Sequence, residues 1–86
     1  MRKRRKFYER LMKGTADADL RFTSLCHLLR QLGFTERIRG DHHIFTKDGV
    51  EEILNLQPKG ARAKPYQVKQ VRNLIRKYGL DIEGED

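Results

Sequence analysis

At 86 residues the chain is long enough for one modest core and too short for two, so a single domain is expected. Lys and Arg number 19 against 12 Asp and Glu, a net charge of +7, with the cations crowded at the start and over residues 59–77; such a surface favours a polyanion, and charge alone leaves nucleic acid, an anionic membrane surface and an acidic protein open. No apolar run approaches the ~18 residues of a membrane span, polar sequence follows residues 1–5 where a signal peptide would be apolar, and a single cysteine excludes an intrachain disulfide, so the chain reads as cytoplasmic with no membrane partner.

After the basic opening run, Phe7, Tyr8, Leu11 and Met12 recur at helical spacing and Gly14 is a fitting stop, which predicts a short helix within a basic extension of residues 1–21. Residues 15–19 are small and polar and suit a connector. Thr23 is placed to cap a second helix whose apolar stripe is Leu25, Leu28, Leu29 and Leu32, with Gly33 at its end. Cys26 lies among those leucines and reads as a small core residue with too few companions for a cysteine-based metal site, while His27 falls on the helix surface. Residues 34–39 alternate, with Phe34, Glu36 and Ile38 on one side and Thr35, Arg37 and Arg39 on the other, as in a half-buried strand. Gly40 and Asp41 form a turn, residues 42–46 return as the second strand of a hairpin, residues 47–49 turn again and residues 52–57 make a third strand. Residues 58–64 carry a proline, a glycine and three cations without apolar periodicity, which predicts an exposed loop. Pro65 opens the last helix, Val68, Val71, Leu74, Ile75 and Tyr78 share one face, and Gly79 can cap it; Tyr66 and Tyr78 are expected at the edge of the core. Residues 81–86 form an acidic tail expected to lack order. The element order predicts an α+β fold, with helices over one face of a three-stranded antiparallel sheet.

Successive strand residues point to opposite faces, so one of His42 and His43 should face solvent beside Arg37 and Arg39 while the other faces the helices. That split makes the pair a poor metal site. A solvent-side imidazole with cations nearby suits RNA cleavage, because it can move a proton near neutral pH while arginine stabilises charge on the phosphorane. Spacing alone favours the plainer reading, a histidine that fills the turn and hydrogen-bonds locally. Lys59, Arg62 and Lys64 precede the last helix, where free amides and the helix dipole favour an anion, and they are either a phosphate site or a solvated basic loop.

The run Gly40, Asp41, His42, His43, Ile44, Phe45, preceded by Leu28, Leu29, Arg30, Gln31, Leu32, Gly33, Phe34, resembles the central signature of the HicA toxins. Asn55, Leu56, Gln57, Pro58 and then Ala63 to Gln70 resemble a longer HicA-like subgroup, and the similarity runs over residues 22–80. The resemblance implies a fold like the double-stranded-RNA-binding domains, metal-independent endoribonuclease action on mRNA (an mRNA interferase), no cofactor, and a HicB-type antitoxin as partner in a toxin–antitoxin module. The family's catalytic histidine maps onto His42 and its glycine onto Gly40, while Asp41 stands where the family has serine. On that mapping Arg37 and Arg39 would orient the scissile phosphate, and Lys59, Arg62 and Lys64 would hold the RNA backbone. A non-catalytic RNA-binding domain of the same fold is the alternative that Asp41 keeps open, and a basic face that docks an acidic protein is a third.

Overall fold

A computed structural model describes residues 3–82; the first two residues of the basic opening run and residues 83–86 of the acidic tail lie outside the described residues. Helix α1 (Lys3–Lys13) leads through a single 3-10 turn (Asp17–Asp19) into α2 (Phe22–Gln31), followed by β1 (Thr35–Arg39), β2 (His42–Lys47), β3 (Val50–Leu56) and α3 (Pro65–Tyr78). The strands form one antiparallel sheet in the order β1-β2-β3. The α+β architecture and the element order match the sequence expectation. None of the described helices is long and apolar enough to cross a membrane.

Alternation on the strands decides which face is covered. Phe45, Leu54 and Leu56 are fully buried and face the helices, where they join Leu25, Leu29, Val68, Val71 and Ile75 in one core. Their strand neighbours Arg37, Arg39, His42, Thr46, Ile53 and Asn55 are exposed on the other face. Ile38 lies on the covered side, yet 60% of it is exposed, because it sits near the end of the edge strand. The third strand starts at Val50, earlier than the expected residue 52, since Lys47 pairs with Val50 and closes the turn to two residues.

Two local expectations are corrected. Thr23 does not cap α2: it sits inside the first turn, and Arg21 holds the N-cap position without a side-chain cap. The helix start is anchored by backbone pairing instead, with Arg21 bridged to Arg62 and the Phe22 amide donating to Ala61 O at 3.0 Å. Residues 58–64 form a loop exposed over residues 59–62, as expected, and the same pairing holds it in place. Lys59 and Arg62 exchange amide–carbonyl bonds of 2.9 and 3.1 Å, Ala63 N–H donates to Leu20 O at 2.8 Å, and Ala63 is buried. The acidic tail begins ordered: Ile82 is buried, Arg5 reaches the Asp81 carboxylate at 3.3 Å and Ile82 O at 3.0 Å, and Tyr8 donates to Leu80 O at 3.0 Å.

Helix α1 belongs to the same core. Leu11 is fully buried, and Arg72 of α3, itself buried, donates at 3.1 Å to Leu11 O and at 2.9 Å to each oxygen of Asp17. Those guanidinium hydrogen bonds outweigh burial and hold the Asp17 carboxyl below its ordinary value.

Candidate active site

The site starts at the β1–β2 turn. Arg39 pairs with His42, which leaves a two-residue loop with Gly40 at φ +61° and Asp41 on the ordinary side. Positive φ at the first loop position alone is the II′ arrangement, whose twist suits a hairpin and which glycine adopts without strain. The register then puts Arg39 opposite His42 and Arg37 opposite Ile44 on the exposed face. Sequence alternation foresaw this grouping. Arg37 and Arg39 are exposed, and no hydrogen bond or ion pair ties either guanidinium to another described residue.

Around His42, whose side chain is 47% exposed, both ring nitrogens have neighbours. Nδ1 lies 3.0 Å from Asn55 Oδ1, and Nε2 lies 3.8 Å from Asp41 Oδ1. The Gln57 side-chain amide donates to Asp41 Oδ2 at 2.7 Å, and this bond is the main cause that holds the Asp41 carboxyl below its ordinary value. Lys64 Nζ donates to Gln57 Oε1 at 3.5 Å. Behind them sits Gln67, buried in the first turn of α3; it accepts from the Gln57 amide at 3.2 Å and donates to Asn55 O at 3.4 Å. One side chain of α3 thus fixes the end of β3, and the end of β3 fixes the turn. Asn55, Gln57 and Gln67 were not foreseen as site residues; the available signal was that Asn55 and Gln57 alternate on the same exposed side of their strand.

The three cations before α3 do not act alike. Lys64 joins the network above and Lys59 is exposed, but the Arg62 guanidinium is turned to Asp19 at 3.0 Å. The helix start also offers less to an anion than expected. Pro65 has no N–H, and the amides of Gln67 and Val68 both donate to Lys64 O at 2.9 and 3.0 Å, leaving the Tyr66 amide. Tyr66 itself is 65% exposed and is not at the core edge: its neighbours one turn on, Lys69 and Gln70, are exposed, so it lies off the apolar stripe. Tyr78 is half-buried as expected and donates to Glu52 at 2.6 Å.

His43 points inward, as the alternation requires. Its ring meets Phe22 edge-on at 4.8 Å, and Nδ1 lies 2.7 Å from Glu36 Oε2, while the other Glu36 oxygen pairs with Arg30. Burial pushes the Glu36 carboxyl up, but these hydrogen bonds prevail and leave it below its ordinary value. Cys26 is beside them, and possible ligand atoms of Cys26, Glu36 and His43 all lie within 4.8 Å of one another, a grouping across α2, β1 and β2 that spacing did not anticipate. Both carboxylate oxygens are engaged by Arg30 and His43, and burial pushes the Cys26 thiol up to about 11; the group ties α2 to the sheet. His27 is on the exposed side of α2.

The family model described as the HicA toxin of bacterial toxin–antitoxin systems matches residues 23–80, which run from the first turn of α2 to just past α3 and include the whole sheet. No curated protein and no solved structure matches the chain. With more than half of its 86 residues in that match, the chain belongs to the HicA toxin family of bacterial toxin–antitoxin systems.

Proposed function

We propose that this chain is a metal-independent endoribonuclease acting on mRNA, with His42 as its catalyst. The observation that carries the reading is an accessible imidazole on the open sheet face, opposite Arg39 in the β1–β2 register and with its Nδ1 occupied by Asn55. His42 Nε2 takes the proton of a ribose 2′-hydroxyl, the 2′-oxygen attacks the adjacent phosphorus, and the P–O5′ bond breaks to leave a 2′,3′-cyclic phosphate and a 5′-hydroxyl whose proton comes from water. Arg37 and Arg39 neutralise the phosphorane, a task that suits two guanidinium groups with no partner among the described residues. Lys59 and Lys64 hold RNA backbone beyond the cut, Arg62 contributes once it leaves Asp19, and the exposed Tyr66 ring offers a base a surface to stack on. An antitoxin of HicB type, acidic where it meets this basic face, silences the enzyme.

Cleavage by purified protein should proceed in EDTA, and His42→Ala should lower its rate by roughly two orders of magnitude or more with RNA affinity nearly intact. RNA with a single 2′-deoxy sugar at the scissile position should resist. In cells, the wild type should arrest growth, His42→Ala should not, and an acidic protein encoded beside this chain should relieve the arrest. Equal cutting of the deoxy substrate, or full activity of His42→Ala, overturns the mechanism. Tight RNA binding with no cleavage under any condition would favour the non-catalytic RNA-binding alternative.

A further inference from the structure

A neutral imidazole carries one N–H, and the partner of one nitrogen decides where that proton sits. The carbonyl oxygen of an asparagine side chain can only accept. With Asn55 Oδ1 3.0 Å from His42 Nδ1, the bond exists in the neutral ring only if Nδ1 carries the hydrogen. That is the opposite of the Nε2–H form a free histidine favours in water, and it puts the lone pair on Nε2. Nε2 is the nitrogen on the side of Asp41 Oδ1, 3.8 Å away, too far for a good hydrogen bond. The other charged groups near the ring are Arg39, across the strand pair, and Lys64, which reaches Gln57 rather than the ring.

The placement of Asn55 is itself fixed. Its residue pairs with Ile44 in the sheet, and its carbonyl oxygen accepts from the buried Gln67 at 3.4 Å. Its side chain has a single rotatable methylene, so little freedom is lost in holding the contact. A charged acceptor at this position would hold the ring too but would also stabilise the imidazolium, which cannot act as a base; the neutral amide orients without that effect.

We infer that Asn55 is a positioning residue for His42, holding the neutral ring as its Nδ1–H tautomer so that Nε2 faces outward as the proton acceptor. The use made of Nε2 rests on the ribonuclease reading; the tautomer rests on the geometry alone. Asn55 touches neither the phosphate nor the 2′-hydroxyl and acts only through His42.

The test is long-range proton–nitrogen NMR on protein labelled with nitrogen-15 in histidine, at a pH where the ring is neutral and with no RNA present. Wild type should show His42 protonated at Nδ1, and Asn55→Ala should return the ring to mainly Nε2–H. Asn55→Asp, which keeps an acceptor at the same reach, should keep the wild-type tautomer, so a general loss of the sheet cannot mimic the result. In the cleavage assay Asn55→Ala should lower kcat at least about tenfold with little change in KM. A wild-type ring in the Nε2–H form, or a tautomer unmoved by Asn55→Ala in a folded protein, overturns the proposal even if RNA is cut. The Nδ1–H form in a protein that cuts no RNA overturns the ribonuclease reading and leaves the tautomer standing.

Discussion

Two adjacent histidines meet different surroundings because a strand turns one to each face. His42 is open to solvent beside Arg39, whereas His43 meets Phe22 at 4.8 Å and Glu36 at 2.7 Å. Removing the His43 ring deletes an aromatic contact and leaves a largely buried carboxylate with Arg30 as its sole described partner, a loss of roughly 1–3 kcal/mol. His43→Ala should therefore lower the urea midpoint while the cleavage rate per folded molecule stays near wild type. A rate loss as deep as that of His42→Ala, in protein still folded at the assay temperature, would contradict this division of roles. Asp41 sits in the same hairpin with its carboxylate taken up by the Gln57 amide at 2.7 Å.

Among the elements, the junction of β3 with α3 matters most to the site. Gln67 sits in a helix turn yet completes the hydrogen bonding at a strand end, accepting from the Gln57 amide and donating to Asn55 O. A buried amide that serves two backbone groups leaves both unpaired when it is cut back. Gln67→Ala should cost about 1–2 kcal/mol by urea denaturation, and hydrogen exchange should quicken at the Gln57 amide more than in the middle of β2. Unchanged protection at Gln57 would mean that the helix does not hold the strand end. The β1–β2 turn takes its conformation from Gly40, as a two-residue hairpin requires, and the Gln57–Asp41 bond ties it to the end of β3.

For the whole molecule, one buried ion pair joins the first and last helices through the 3-10 turn. Arg72 is 6% exposed and binds Asp17 through both nitrogens as well as Leu11 O. Asp17→Ala strands a buried guanidinium, a loss of about 3–5 kcal/mol when both partners are fully buried. The Asp17 side chain is 22% exposed, so a figure of about 2 kcal/mol is expected here, or roughly 10 °C in Tm. The sign of the pH dependence follows from the lowered Asp17 carboxyl. Its stabilisation is complete above the ordinary aspartate value near 3.8 and disappears as pH falls through the lower folded-state value. Thermal melts taken down through that window should show wild type converging on Asp17→Ala as the pH drops; a gap that stays constant would show that ionisation of Asp17 contributes nothing to stability.

Much of this was legible in the sequence, and the division has a physical cause. Periodicity and turn residues are local, so the α+β element order, the Gly40 turn and the opposite faces of His42 and His43 could be read from neighbours along the chain. The signature around Gly40 and His42 was likewise contiguous, and it led to the family. Contacts between segments distant in sequence carry no such mark. Arg21 at the head of α2 has a donor-only side chain that cannot cap, so its backbone bridge to Arg62 anchors the helix start, and residues 58–64 are held because they zip onto residues 20–22. Tyr66, expected on or near the apolar face of the last helix, is exposed because its place on α3 lies off the buried stripe. Tertiary structure alone decided that Arg62 turns to Asp19, that Arg72 is buried against Asp17, and that Asn55, from a strand formed later in the chain, takes the Nδ1 side of His42. Each of these is a polar side chain finding its partner across the fold. Hydrogen-bond complementarity of that kind depends on distance and direction in space and leaves no period in the sequence.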